Sequence, residues 1–483
     1  MIVGQQLADY ASQCPRALAV CIYDLELNCR KFSYEDFLGN VVRCERELTT
    51  HSQVGDPISL CSAEPLAVME QFFAIARTER VACVVDPRMS AENTSRLLNE
   101  VGAAFVWETQ DNKANAFLQS STVPSDLVDF ASHPGGDRAF YVGFTSGSTG
   151  MPKGYCRNHN SWLESFRVSK QYFKLSAGDV VAVPGPFSHS LHLYAAVQAL
   201  EMGASVVAMK QFAPRSFLAA MREQNASVLY VTPTQLEMLC LENAQLPSLR
   251  KLLVTGARWQ PHLLERVRHC FPNAITYDFY GASELSFVSA REITGKNVNN
   301  QSVGFALPGI TVSVRERSGA RVPYGVRGKI FVHSKQIMQG YVCGEDQTFQ
   351  RYKSWASVGD YGYQNDEGEI FLAGRESRML NIGGVNVYPE EIEVQLAKLV
   401  AHQPVAVLGM ADRQRGEVPV AVLSQSCLEV CSLQQVASAM RQRLGSLRAP
   451  RRYGVYCGEW PLTRSGKTDY MYLEQWLSAK MEP

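Results

Sequence analysis

Residues 145–154, TSGSTGMPKG, combine hydroxyl, glycine and lysine side chains in the manner of a loop that holds the tail of a nucleoside triphosphate. Gly147, Gly150 and Gly154 let the backbone approach phosphate oxygens with no Cβ in the way. Thr145, Ser146, Ser148 and Thr149 add hydroxyl donors, and Lys153 adds a compact positive charge suited to a polyanion. A polar Gly/Ser stretch can also be a plain surface turn. Here the apolar run AFYVGF at residues 139–144 precedes it, which predicts a buried strand and fixes where the loop leaves its sheet. The spacing departs from G-x-x-x-x-G-K-[ST], because Pro152 stands where that pattern requires its second glycine. A different nucleotide chemistry is expected.

Four further places carry groups that can do chemistry. After the expected strand at residues 275–280 comes the turn of YGASE, in which Tyr280 can stack on a purine and Glu284 offers a hard oxygen to Mg²⁺. As plain structure they are a core tyrosine and a helix-capping glutamate. In WASVGDYGY, residues 355–363, Asp360 has two carboxylate oxygens for the two hydroxyls of a ribose; a turn aspartate is the alternative. FSHSLH, residues 187–192, places His189 and His192 three apart, but no nearby carboxylate or cysteine completes a metal site. A lysine in a Ser-Gly turn, as in PLTRSGK at residues 461–467, is usually solvated.

These groups need sheets to hold them. Residues 34–49 read as a helix, and the runs at 57–61, 82–85 and 103–107 alternate with helical segments, which predicts doubly wound α/β layers. Strands are expected at 180–183, 227–231, 252–254 and 275–280; ligands in open α/β sheets sit at such strand ends. From residue 304 to 332 short apolar segments broken by Pro and Gly suggest a small β-barrel subdomain. Beyond residue 378 a helix at 389–400, strands at 405–409 and 418–423, a helix at 433–444 and a strand near 453–457 predict a small α+β domain. The chain of 483 residues is long enough for two or three full cores. Its 47 basic and 47 acidic residues cancel, which gives no indication of a nucleic-acid partner. Thirteen dispersed cysteines with no C-x-x-C pair read as reduced thiols of a cytoplasmic protein. No export signal and no integral membrane segment is expected.

The string FTSGSTGMPKG resembles the signature of the adenylate-forming superfamily, which includes acyl-CoA synthetases, peptide-synthetase adenylation domains and luciferases. Four more strings fall in that family's order: YGASE, SVGDYGY, the segment FLAGRESRMLNIGGVNVYPEE at 371–391, and PLTRSGK. The resemblance spans residues 3 to about 470. It implies ATP, Mg²⁺ and CoA, with residues 1–376 binding ATP and acid and residues 377–483 forming a mobile domain. Thr145 and residues 146–150 would hold the β and γ phosphates, with Thr145 also near the metal on Glu284. Gly256 and Ala257 would line the adenine, Tyr280, Gly281 and Ser283 the nucleotide pocket, Asp360 the ribose, and Arg375 the ribose or phosphate end. His189 would stand at the mouth of the acid pocket, Gly384 would line a pantetheine tunnel, and Lys467 would bridge the reacting acid and the α-phosphate. Ser377 occupies the hinge position where Asp or Lys is common, Val358 replaces a usual threonine, and Asn386 takes no catalytic role. Relatives that activate α-amino acids carry F-D-x-S where this chain has Phe187-Ser188-His189-Ser190, and an ammonium buried without that carboxylate would cost several kcal/mol. The expected substrate is therefore a carboxylic acid without an α-amino group, a fatty or other aliphatic acid, passed to CoA. A carrier-protein phosphopantetheine as acceptor and a non-catalytic scaffold protein remain alternatives.

Overall fold

The computed structural model of the chain describes residues 1–103, 105–110, 113–117, 135–145, 152–257, 259, 263–295, 302–344, 346–383, 385–412, 415–463 and 466–481. Three sheets organise them. In the largest, strands Leu18–Tyr23, Ser205–Met209, Val180–Val183, Val228–Val231, Lys251–Val254 and Ile275–Ala282 run parallel to their neighbours. These strands are short and almost wholly apolar, as strands buried on both faces must be. Helix Ser190–Glu201, buried from Leu191 to Glu201, lies in the core on one face with Tyr34–His51, Pro65–Arg77 and His159–Tyr172. Helices Pro214–Glu223, Pro233–Leu241 and Leu263–Cys270 bury their apolar stripes in a second core on the other face. The second sheet holds Pro57–Cys61, Val81–Val84 and Ala139–Thr145 in parallel pairs and extends antiparallel through Lys153–Asn158 to Gly340–Cys343.

The region expected to form a β-barrel is different. Among the described residues its strands, from Ser302–Ala306 to Ile370–Arg375, continue the large sheet as an open antiparallel extension that starts from Ile275–Ala282 and Ser286–Glu292. Short alternating strands look alike in a closed barrel and on an open edge, and the pairings among the described residues show no closed barrel.

A small C-terminal domain follows. Its sheet orders Val385–Val387, Leu380–Ile382, Gly416–Ser424 and Val405–Asp412, with Arg452–Tyr456 parallel to Gly416–Ser424. One face packs on Ile392, Leu396, Val436 and Met440, the other on Leu473 and Leu477 of helix Tyr470–Met481. The fold is thus a mixed α/β architecture of a large N-terminal and a small C-terminal domain. Among the described residues no helix is long and apolar enough to cross a membrane.

Histidines buried in the large domain make the fold sensitive to acid. The His159 imidazole is fully buried, stacks on Phe140 at 4.4 Å and accepts the Val3 N–H at 3.0 Å through Nδ1. Burial pushes its pKa down to about 3. The unfolded chain binds this proton near pH 6.5 and the folded chain does not, so stability is complete above that pH and declines as pH falls toward 3. Between pH 7.5 and 5 the unfolding free energy measured in urea is expected to drop by about 2 kcal/mol from this residue alone, with a His159→Gln variant showing a correspondingly flatter profile.

Candidate active site

The motifs converge at the carboxyl ends of the parallel strands. Strand Lys251–Val254 ends in Thr255-Gly256-Ala257, with Thr255 Oγ1 donating to the Phe279 carbonyl at 2.6 Å. Gly256 has φ +97°, and both it and Ala257 are exposed, so the turn presents a bare ledge of backbone. Next to it Ile275–Ala282 carries Tyr280, and a bulge at Tyr280/Gly281 turns the chain toward Glu284. Gly281 is required there, since a Cβ would overlap the Ser286 carbonyl.

Asp360, 5% exposed, lies beside this strand end. Its Oδ2 accepts the Tyr280 hydroxyl at 2.5 Å and its Oδ1 accepts Arg375 Nε at 2.9 Å. The Asp360 charge, acting against the cost of burial, holds the Arg375 guanidinium well above its ordinary value. About half of the Arg375 side chain stays open to solvent, and its described bond to Asp360 uses Nε. Glu284 is buried, and its Oε1 accepts the Tyr341 hydroxyl at 2.8 Å. Ser283 Oγ meets Ser190 Oγ at 3.2 Å, which ties the FSHS segment to YGASE.

Lys467 enters this site from the C-terminal domain. A Cβ placed on Gly256 would meet Lys467 Cε at 3.8 Å, and Arg375, Asp360, Glu284 and His189 all lie within electrostatic reach of its ammonium. Crowding by the cleft and then the Arg375 charge pull the Lys467 pKa below its ordinary value, while Asp360 and Glu284 pull it back up. His189 is the residue before helix Ser190–Glu201; its ring lies 5.4 Å from that of His192, and its Nδ1 is buried without a hydrogen-bond partner. Burial, with the His192 ring and the Lys467 charge, holds it down to about 3, so it is neutral at physiological pH. His192 is fixed by the Pro186 carbonyl and Gln235 Oε1, both at 3.2 Å, as a core histidine.

In the second sheet, Thr145 and Lys153 face each other at the ends of the hairpin strands Ala139–Thr145 and Lys153–Asn158. Lys153 is 9% exposed and bonded to Asp346 Oδ2 at 3.0 Å, so its charge is already matched by a carboxylate. Ser146, Gly147, Ser148, Thr149, Gly150 and Gly384 lie outside the described residues.

Sequence reading did not find Arg157. It is 2% exposed and donates to Ser161 Oγ, Ser283 O, Ser286 Oγ and Gln336 O at 3.1, 2.9, 2.9 and 2.6 Å. Burial lowers the guanidinium to about 10, so it is still charged at neutral pH while holding the backbone next to Glu284. Tyr341, Asp346 and Thr234 were missed as well. Each lies outside the motif strings and shows itself through a contact with a residue far away in the chain.

A bare backbone ledge met by a lysine from a second, smaller domain fits the layout of an adenylate-forming enzyme. The chain belongs to the AMP-binding enzyme family: that family's model matches residues 7–342, and the model of the AMP-binding enzyme C-terminal domain matches residues 391–467. It is 30% identical over 469 residues to the uncharacterized acyl-CoA ligase YhfT of Bacillus subtilis (strain 168), covering 95% of this chain and 96% of that protein. It is 27% identical to the putative long chain fatty acid-CoA ligase VraA of Staphylococcus haemolyticus (strain JCSC1435), covering 96% of this chain and 95% of that one. Its fold matches the o-succinylbenzoate coenzyme A synthetase MenE of Bacillus subtilis in complex with ATP and magnesium ion, with a TM-score of 0.81, 21% identity, and 98% of this chain and 99% of that one covered.

Proposed function

We infer that the protein is an ATP-dependent acid-thiol ligase that converts a carboxylic acid to its acyl-adenylate and then to the CoA thioester. The observation that carries this reading is Lys467 reaching over Gly256 toward Glu284, Asp360 and Arg375. A free carboxylate resists thiol attack because oxide is a very poor leaving group. In the first step a carboxylate oxygen bonds to the α-phosphorus of ATP and the bond to the pyrophosphate oxygen breaks. Such a transfer needs positioning and charge stabilisation more than proton transfer.

The bare turn at Gly256 and Ala257 lets the adenine lie against backbone, beside Tyr280, Gly281 and Ser283. Asp360, oriented by Tyr280 and Arg375, accepts the ribose hydroxyls, and Arg375 turns its outer nitrogens to the ribose or phosphate. Thr145 and the loop after it take the β and γ phosphates, and Lys153 joins them by exchanging Asp346 for phosphate. Lys467 bridges the acid and the α-phosphate. Glu284 suits a magnesium ion, which favours one or two carboxylates plus phosphate oxygens, because Tyr341 orients the carboxylate through Oε1 alone among the described contacts. Bound there, the ion would offset phosphate charge.

In the second step the CoA sulfur bonds to the acyl carbon, the carbon–oxygen bond to AMP breaks, and the thiol proton passes to solvent. Lys467 has no further use there, and Gly384 is assigned to the pantetheine path. Division of the chain after residue 376 is supported on both sides. Arg375 and Glu376 are tied back to Asp360 and to Lys329 (2.6 Å), while Arg378 is tied forward to Glu390 (3.1 Å) and Glu393 (2.6 Å) and stacks on Tyr470 at 3.7 Å. Ser377 is left between the two anchors as the pivot.

For the acid, Ser188 offers no counter-charge to an α-ammonium and His189 is neutral, which favours an aliphatic acid without an amino group. Pyrophosphate release with Mg-ATP across aliphatic, aryl and amino acids, with and without CoA, tests the reading. Release that rises with CoA and yields an acyl thioester by mass is expected for an aliphatic acid. Release that stalls near one equivalent, with no CoA product, would move the acceptor to a carrier-protein phosphopantetheine. No release with any acid would overturn the assignment.

A further inference from the structure

The loop that carries Lys467 closes mostly on itself. Thr463 N–H donates to the Lys467 carbonyl at 2.6 Å, Gly466 N–H to the Thr463 carbonyl at 2.9 Å, and Lys467 N–H to Thr463 Oγ1 at 3.2 Å. These bonds shape the turn but do not place it against the large domain. One described bond from the turn crosses over: Thr234 Oγ1 donates to the Gly466 carbonyl at 2.8 Å. Gly466 has φ +77°, and a Cβ there would sit 3.4 Å from Thr234 Cβ, so the turn is seated directly on this threonine.

Thr234 is itself rigidly held. It stands in the first turn of helix Pro233–Leu241, which opens with Pro233 and a capping box formed by Thr232 and Gln235. Gln235 is pinned in turn, donating to the Gly185 carbonyl at 3.0 Å and meeting His192 Nε2. The same turn supports the adenine ledge, since Thr232 Cγ2 would lie 3.6 Å from a Cβ on Gly256. The helix start therefore joins the nucleotide ledge and the lysine turn in one frame.

We propose that Thr234 is a positioning residue for adenylation, holding Lys467 at the α-phosphate through its hydrogen bond to the Gly466 carbonyl. This rests on the reading that Lys467 serves the first step alone. The consequence is an asymmetry between half-reactions. Loss of the hydroxyl weakens the step that uses Lys467 and leaves the thiol step untouched.

The test compares wild type with Thr234→Val, which keeps the shape without the donor, and Thr234→Ser, which keeps the donor. Acid-dependent ATP–pyrophosphate exchange reports the first step, and CoA acylation from chemically prepared acyl-adenylate reports the second. Thr234→Val is expected to slow exchange by about 5-fold, the effect of one hydrogen bond of about 1 kcal/mol, with acyl transfer unchanged and Thr234→Ser within about twofold of wild type. Hydrogen–deuterium exchange of a peptide covering residues 461–469 should quicken in Thr234→Val by a similar factor, while one covering 235–241 stays at the wild-type rate. Unchanged exchange, an equal fall in both half-reactions, or a serine variant as slow as valine would overturn the proposal. A wild type with no exchange for any acid would remove the adenylation reading instead, and the deuterium experiment would still decide whether Thr234 holds the turn.

Discussion

Replacing Lys467 by alanine is expected to slow acid-dependent ATP–pyrophosphate exchange by about 10²–10³-fold, the loss typical of removing one preorganised group aimed at developing transition-state charge. The reacting carboxylate and the α-phosphate would both be anionic, and Lys467 is a cation that reaches the Gly256 ledge with Arg375, Asp360 and Glu284 within electrostatic reach. Other functions should survive. In the proposed reading the nucleoside contacts fall to Asp360, Arg375 and the Gly256 ledge and not to Lys467, so the thermal shift produced by ATP should persist. Lys467 keeps part of its surface in solvent and its turn closes mainly through its own backbone bonds, so unfolding free energy should move by no more than about 0.5 kcal/mol. Acyl transfer from preformed adenylate should also continue. The pH profile carries a sign that can be checked: the charged ammonium is the competent form and its pKa is depressed, so wild-type exchange should fall on the alkaline side earlier than for an unperturbed lysine. Wild-type exchange in the alanine variant would remove the lysine from the mechanism.

How much of this was legible in the sequence depended on whether a function sits in one short string. YGASE, SVGDYGY and PLTRSGK are each contiguous within a few residues, so Tyr280, Glu284, Asp360 and Lys467 could be named as candidates without coordinates, and the structure brings them to one cleft. The parallel strands were legible for a similar reason: four apolar residues between turns, as in Val228–Val231, have few alternatives. What failed was long-range pairing. Lys153 reads as a free cation in TSGSTGMPKG, and nothing near it reveals that Asp346 neutralises it. Closure of the barrel is not shown among the described residues, because local alternation says nothing about which distant strand closes the edge. The helix Tyr470–Met481 was missed because apolar residues lie all round it and it completes a face of a sheet whose strands start far upstream.

Arg157 is the strongest case of this kind, because a charged residue in YCRN reads as surface from sequence and is fully enclosed in the fold. Its guanidinium joins the Lys153–Asn158 strand to helix His159–Tyr172, the Ser283–Ser286 turn and Gln336, and its four described bonds go to neutral oxygens. Arg157→Met keeps length and apolar bulk but strands the Ser283 and Gln336 carbonyls in the interior. Each unpaired group costs about 1–3 kcal/mol, and some is recovered because a buried charge is also removed. A net loss of about 3–5 kcal/mol is expected, a large share of the roughly 5–15 kcal/mol that holds a typical protein folded, read as an earlier denaturant midpoint. Arg157→Lys, with a charge but without the planar fork, should reach fewer of the four acceptors and lose an intermediate amount. Because Ser283 precedes Glu284, molecules of the methionine variant that remain folded should also need more magnesium for half-maximal exchange, while their response to the acid concentration changes little. An Arg157→Met protein within about 1 kcal/mol of wild type, with the same magnesium requirement, would show that the loop beside Glu284 is held by something other than this arginine.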